Sequence, residues 1–578
     1  MASLEKTTPE SSSVAGPQNM NEKVFEDAAD EALPDGVRRM EAITMIWSKW
    51  ALVTAYAGAV LMLFWVALLQ STSNSLLPYV TSSFAAHSLV ATATMVCFIL
   101  AGVIQVPLAK VIDVWGRVEG FIAMIVVLEV RLVLTAACKN VKTYTAGMVL
   151  YEIGFSGIYY ILTVFIADAS QMKNRALMIG ISYFPNMATT FAGPALAEAF
   201  YDNTTWRWAY GMFSTVLPVM CLPVILVLWR NQKKSKKLGI IEAPQSGRTV
   251  WQSFLHFSIE FDAIGVILFG VSLTIFLLPF TLASSAGKEW RSATVITMIM
   301  LGFVLLLLFV AYEKFFSPKA FIPFSLLKDR TVLGACLFNA AYSMGYFVWQ
   351  TYYSSYLQVV HDQSIKHAGY IVNIYWNGLA VSGIFAGLLV HFTGEFKKLA
   401  LAGVSLMTLG IGLLVHFRHP RTDVGYLVMC QLFVAIAGGM LNIAQYMALL
   451  VRSATKGHVT SPSVALLLSL SFLSQRIGAA ISLCIAGSVW THHFLGALKN
   501  RLPDALKAQA EMIYASIVVQ LQQPRGTPIR DAIDLTYEDI QLKLTITGTA
   551  VMALAIASIM LWRNIKVTEV NEKKGLVV

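Results

Sequence analysis

Charge is scarce in this chain. Asp, Glu, Lys and Arg make up 13% of its 578 residues, against about 25% in soluble domains. That argues against the string of soluble domains that length alone would suggest. Cysteine is scarce too. Cys97, Cys138, Cys221, Cys336, Cys430 and Cys484 stand far apart, and no CxxC occurs, so neither a disulfide framework nor a structural zinc site is indicated. No set of His, Cys and carboxylates has the look of a bare-iron or other metal site. No Gly-rich phosphate loop speaks for ATP drive, no enzyme motif stands out, and no bound cofactor is expected. The first 46 residues are polar and net acidic without an apolar core, so they read as a disordered cytosolic tail and not as a signal peptide.

What the chain does have is apolar length. It is 56% hydrophobic, with a mean hydropathy of +0.63. A bilayer core about 30 Å thick needs about 20 apolar residues per crossing, and lipid offers the backbone no hydrogen bonds, so these runs should be helices. Fourteen are expected, at 50–70, 86–108, 118–138, 143–168, 175–200, 208–229, 261–283, 292–313, 331–357, 367–393, 398–417, 424–451, 463–490 and 542–562. The net charge of +10 could suggest nucleic acid, but its placement follows the membrane instead. With the N-terminus in the cytosol, the inner loops hold eighteen Lys and Arg and the short outer loops eight, as the positive-inside rule requires. The basic loop 230–248 reads mainly as this topology signal, with contact to anionic lipid as the weaker alternative. Asn203 in "NTT" is a glycosylation sequon, too close to the membrane to expect use.

Between the second and third runs stands "AKVIDVWGR", residues 109–117. Gly116 permits a tight cytosolic turn. Asp113 and Arg117 can pair with each other or with helix ends, a polar latch that holds one helix packing and releases in another. A second stretch, "GLLVHFTGEFKK" (387–398), repeats the spacing: Ala109, Asp113 and Gly116 match Gly387, His391 and Gly394, with Glu395 opposite Arg117. This reads as the trace of a parallel internal repeat. Ions inside spans are costly and are functional candidates. Glu152, Glu129, Arg131 and Arg476 qualify as proton-coupling residues, Glu152 foremost, with static ion pairing as the alternative.

D-x-x-G-R after the second helix resembles the signature of the major facilitator superfamily. The stretches "PYVTSSF" (78–84), "FIADASQMKNRAL" (165–177), "WRWAYGMF" (206–213), "YYSSYLQVVHDQSIKHAGYIVNIY" (352–375) and "GTPIRDAIDLTYEDIQLKLTITGTA" (526–550) are similar to the fungal siderophore–iron transporters, its fourteen-helix members. The chain departs from them where "LLQSTSNSLLPY" lacks an acidic residue and where Arg476 stands in "LSQRIGAAIS". The resemblance implies an all-α membrane protein of the major facilitator fold: two six-helix bundles (49–229 and 331–562) and two extra helices between them in 230–330. Tails 1–48 and 563–578 and an outer loop 491–541 complete it. It also implies a central cavity lined by the first, fourth, ninth and twelfth helices. The ninth offers Trp349, Tyr352, Tyr353 and Tyr356 at helical spacing, flanked by Gln350. The twelfth offers Asn442, Gln445 and Tyr446, and the fourth Tyr159 and Tyr160. Such rings suit a bulky amphipathic ligand, although an interfacial aromatic belt would use the same residues.

The expected function is import of ferric siderophore chelates with protons by a monomer in the lipid bilayer of the plasma membrane, or of a vesicle or vacuole, with no nucleic-acid partner. A proton-driven multidrug exporter and a ligand-sensing receptor are the alternatives. "FAGPALAEAF" has Gly193–Pro194 but not the Gly pair expected of an exporter. The outer loop is too long for a plain connector. Residues 504–523 are expected to form one amphipathic helix, broken by Pro524 and Pro528, with Arg530 and Tyr537 among charges beyond the break. It would close over a bound chelate, or else lie passively on the membrane.

Overall fold

The structure is a computed structural model that describes residues 49–84, 90–114, 117–168, 170, 172–182, 184–237, 250–282, 291–318, 324–455 and 464–567. Among these no strand occurs. The helices of the first half are α1 (Lys49–Ser83), α2 (Val90–Val114), α3 (Arg117–Ala137), α4 (Val141–Asp168), α5 (Met172–Ser182), α6 (Pro185–Asn203) and α7 (Trp206–Lys237). A short α8 (Val250–Glu260) leads to the inserted pair α9 (Ala263–Leu282) and α10 (Ala293–Phe315), then to α11 (Phe324–Leu327). The second half holds α12 (Arg330–Gln350), α13 (Tyr353–His361), α14 (Ile365–Thr393), α15 (Phe396–Phe417), α16 (Val424–Thr455) and α17 (Val464–Arg501). A 3-10 turn (Asp504–Gln509), α18 (Ala510–Ala515) and α19 (Ile517–Leu521) precede the last helix, α20 (Pro528–Met560).

Twelve crossings among the described residues are long and apolar enough to span a membrane, with α12 and α13 counted as one. The other two expected crossings correspond to α2, whose apolar stretch Thr94–Leu108 is shorter, and to the broken pair α5–α6. The break falls where Pro185, without an N–H, opens α6.

The packing repeats itself. In the first half α1 lies on α6 and α7, α4 on α2 and α3, and α3 on α7. In the second half α12 lies on α17 and α20, α16 on α14 and α15, and α15 on α20. Each partner has its counterpart. The seams between halves match as well: α2 against α17, and α5–α6 against α14. Small residues let these seams close. A Cβ on Gly387 would stand 2.8 Å from the Ala176 carbonyl oxygen, and one on Gly180 2.8 Å from the Gly383 carbonyl oxygen.

The turn of the repeated motif is described in its second copy. Gly394 caps α14 at φ 70°, a left-handed conformation that suits glycine. The chain's end fastens that turn: Val567 N–H donates to the Gly394 carbonyl at 3.0 Å, and Lys397 Nζ to the Trp562 carbonyl at 2.6 Å. In the first copy Asp113 lies near the end of α2 and Arg117 opens α3, while Gly116 lies outside the described residues. Tail 1–48, part of the basic loop and residues 568–578 also lie outside them.

Several expected boundaries move. The ninth crossing breaks at Thr351–Tyr352 and resumes as α13. The thirteenth runs on to Arg501. Pro528 does not end a helix; it starts α20 at the first position, behind a Thr527 cap. Asp531, Asp534, Tyr537, Glu538 and Asp539 therefore stand on the first turns of the last crossing. The single helix expected at 504–523 is three short pieces, because Ser516 is extended at φ −143°, ψ 122°.

Candidate functional site

Between the halves lies a cavity of about 270 Å³. Its first-half wall comes mainly from α1 (Gln70, Ser73, Asn74) and α4 (Tyr151, Glu152, Phe155, Ser156, Tyr159). Its second-half wall comes from Gln350, Thr351 and Tyr352 at the α12–α13 break, from Asn442 and Tyr446 of α16, and from Phe472, Gln475 and Arg476 of α17. All four expected cavity helices contribute, and α17 joins them. Polar side chains inside a bilayer are sheltered where they face protein or a cavity. Gln350 Oε1 is buried at this wall without a hydrogen-bond partner.

An ion pair joins the two halves across this space. Arg476 Nη1 lies 2.8 Å from Glu152 Oε2, with the two side chains 15% and 13% exposed. The arginine also covers the Phe98 ring at 4.6 Å. Gly102 makes the approach of its helix feasible, since a Cβ there would stand 2.6 Å from Arg476 Cβ. The sequence singled out both partners but not their pairing, which links positions 324 residues apart.

Arg131 also lines the cavity; Glu129 does not. Its guanidinium lies over the rings of Tyr151 at 4.3 Å and Tyr210 at 4.5 Å.

The aromatic face expected on the ninth crossing is corrected. The break at Thr351–Tyr352 turns Tyr352 and Gln350 to the cavity and leaves Trp349, Tyr353 and Tyr356 off its wall. These three gather around Arg418 at 4.9, 4.5 and 5.7 Å. Arg418 Nη1 donates to Gln541 Oε1 at 2.8 Å and to Thr545 Oγ1 at 3.1 Å. All four side chains are buried, which also sets aside the interfacial belt for them. Tyr352 stacks on Trp490 at 3.9 Å. Tyr159, Asn442 and Tyr446 reach the cavity; Tyr160 and Gln445 do not. Tyr160 instead meets Phe472 edge-on at 5.6 Å, one of the contacts that bridge the halves.

At the other end of the bundle Tyr79 hydrogen-bonds Gln358. The segment between α17 and α20 packs here as part of the fold. Ala510, Ile513 and Ile517 are fully buried, and Ile517 N–H donates to Ser82 Oγ of α1 at 3.3 Å. Tyr537 Oη donates to Gln520 Oε1 at 2.8 Å. Arg530 donates to the carbonyls of Gln520, Gln523 and Val359 and pairs with Asp534 at 3.3 Å. The loop thus ties α13 and α20 of one half to α1 of the other. Among the described residues no cluster of three or more His, Cys, Asp or Glu has the arrangement of a metal site.

A family model for the Major Facilitator Superfamily matches residues 59–312. The chain is 44% identical to "MFS siderochrome iron transporter 1" of Ajellomyces capsulatus, covering 96% of this chain and 93% of that one. It is 42% identical to "MFS siderochrome iron transporter D" of Aspergillus fumigatus (96% and 92%) and 39% identical to "Siderophore iron transporter mirB" of Emericella nidulans (99% and 95%). Among solved structures it resembles a bacterial homolog of the lysosomal transporter Spinster, inward-facing and unoccupied, with a TM-score of 0.55 at 14% identity, over 89% and 98% of the two chains. A peptide transporter gives 0.53 at 14%, over 91% and 99%. At such identities the structural likeness concerns the fold alone.

Proposed function

The chain belongs to the siderochrome and siderophore iron transporters of the major facilitator superfamily, and from that premise we propose that it imports ferric siderophore chelates across a membrane, driven by protons. The observation that carries the reading is a cavity between two matching halves, spanned by Glu152 and Arg476. A chelate already supplies hard oxygen ligands to ferric iron. Its carrier needs contacts to the organic shell, which aromatic and amide side chains such as Tyr352, Tyr446, Asn442 and Gln350 can make.

Glu152 is the proposed proton carrier. As the halves rock, α17 moves against α4 and takes Arg476 with it. A carboxylate that loses its cation in an apolar surrounding favours the neutral acid, so each separation loads a proton and each return releases one. The turn 109–117 biases which packing is held. The outer loop with Arg530 and Tyr537 would admit and then cover the ligand. The protein is read as a monomer in the plasma membrane.

The test is uptake of radio-iron presented on a panel of siderophores, in a host without its own carriers. Uptake should stop when an uncoupler collapses the proton gradient while ATP is maintained. Undiminished initial uptake would remove proton drive, and no uptake of any chelate would remove the transport reading.

A further inference from the structure

Among the described residues three ions line the cavity: Glu152, Arg131 and Arg476. Two are positive and one is negative, so one cation has no carboxylate of its own. Arg476 holds the acid at 2.8 Å. Arg131 is the remainder. Its side chain is 2% exposed, and neither Nε nor Nη1 has a hydrogen-bond partner. Glu129, two residues along α3, does not supply one: its Oε2 is likewise unpartnered, and it lies toward Cys221 of α7. Tyr151 and Tyr210 attract the guanidinium through their ring faces. That leaves the in-plane N–H donors of Nε and Nη1 undirected. An unpaired guanidinium away from water is costly, and its planar fork matches a carboxylate in shape. Gln350 Oε1, an unpartnered acceptor, and the buried hydroxyl-bearing rings of Tyr151 and Tyr352 share the same cavity.

We propose that Arg131 is a ligand-binding residue, the anion receptor of the cavity, and that the ligands this chain prefers are ferric chelates bearing a free carboxylate. The proposal rests on the siderophore reading and names the substrate class within it. The guanidinium donates two N–H groups to the carboxylate, and the ligand brings the counter-ion that the described residues around Arg131 do not supply. Arg131 then has no part in carrying the proton; that stays with Glu152.

The test is equilibrium binding to the purified, full-length protein. The probes are gallium(III) chelates of two trihydroxamates on one backbone, one neutral and one with a free carboxylate. The wild type should bind the carboxylate form roughly tenfold or more tightly, the scale of a charge-assisted bidentate contact. Arg131→Gln should bring the two affinities together, and Arg131→Lys should keep the order with a smaller ratio. Equal affinities in the wild type overturn the proposal without any variant, and so does an undiminished ratio in Arg131→Gln. Equal binding of both chelates leaves the siderophore reading standing. Binding of neither removes both. A loss of proton coupling in Arg131→Gln with the ratio unchanged would assign the residue to Glu152 instead.

Discussion

Each half buries an arginine among aromatic rings, and the two sites differ in what lies beyond the rings. Arg131, on α3, has Tyr151 and Tyr210 about it and opens on the cavity. Arg418, at the end of α15, has Trp349, Tyr353 and Tyr356 about it and is closed in by Gln541 and Thr545 of α20. α3 and α15 hold equivalent places in the repeated packing. The same residue chemistry therefore serves the cavity in one half and the interior of the bundle in the other. Ring type, spacing and unpartnered nitrogens do not separate the cases, since Nε and Nη2 of Arg418 lack partners as Nε and Nη1 of Arg131 do; position on the cavity wall does.

The comparison breaks most sharply at Arg418. Arg418→Ala should cost about 3–5 kcal/mol of stability, the scale of removing one member of a buried polar set. It would be seen as a large fall in melting temperature in detergent. The molecules that remain folded should keep the wild-type KM; a raised KM would place Arg418 in contact with ligand. Next in size, Glu152→Gln should lower proton-driven uptake about a hundredfold, close to 3 kcal/mol at 1.4 kcal/mol per decade. Chelate binding should persist, and loss of binding instead of turnover would recast Glu152 as a ligand contact.

A smaller effect separates neighbours on either side of the break in the ninth crossing. Tyr352→Ala should raise KM about ten- to a hundredfold, since losing a large apolar contact costs about 1.5–3 kcal/mol. Trp349→Ala should lower stability and leave KM alone. Equal KM changes in the two would mean that the break at Thr351–Tyr352 does not sort these rings. The smallest expected effect is in the outer loop. Tyr537→Phe removes one hydroxyl that donates to Gln520 and should cost about 1 kcal/mol of stability. A severe loss of uptake from so small a change would give that hydroxyl a direct part in handling ligand.

Most of the architecture was legible in the sequence, because a crossing must be apolar and of a set length. The cavity helices were legible through the resemblance, and Glu152, Gln350, Tyr352, Asn442 and Arg476 do meet there. The misplaced residues have local causes. Tyr352 shares a face with Trp349, Tyr353 and Tyr356 only on a continuous helix; the backbone at Tyr352 (φ −107°, ψ 13°) leaves it, so Tyr352 turns to the cavity while the other three gather on Arg418. Pro528 looks like a breaker in a residue string yet acts as a first-turn residue, because Thr527 caps the N-terminus before it. The Glu152–Arg476 pair and the unfilled donors of Arg131 depend on contacts between distant segments, which periodicity does not encode.

The fastening of Gly394 by Val567 explains how the second copy of the motif tolerates its altered residues. Where the first copy reads Asp113 and Arg117, the second reads His391 and Glu395. Its turn is held by the segment that follows α20, through the Val567 amide and through the Trp562 carbonyl that Lys397 reaches, with neither His391 nor Glu395 in those two bonds. The same strap sets a practical limit on handling the protein. A reporter joined after residue 567 leaves the turn tied, whereas a chain cut at Met560 loses both the Trp562 carbonyl and the Val567 amide that hold it.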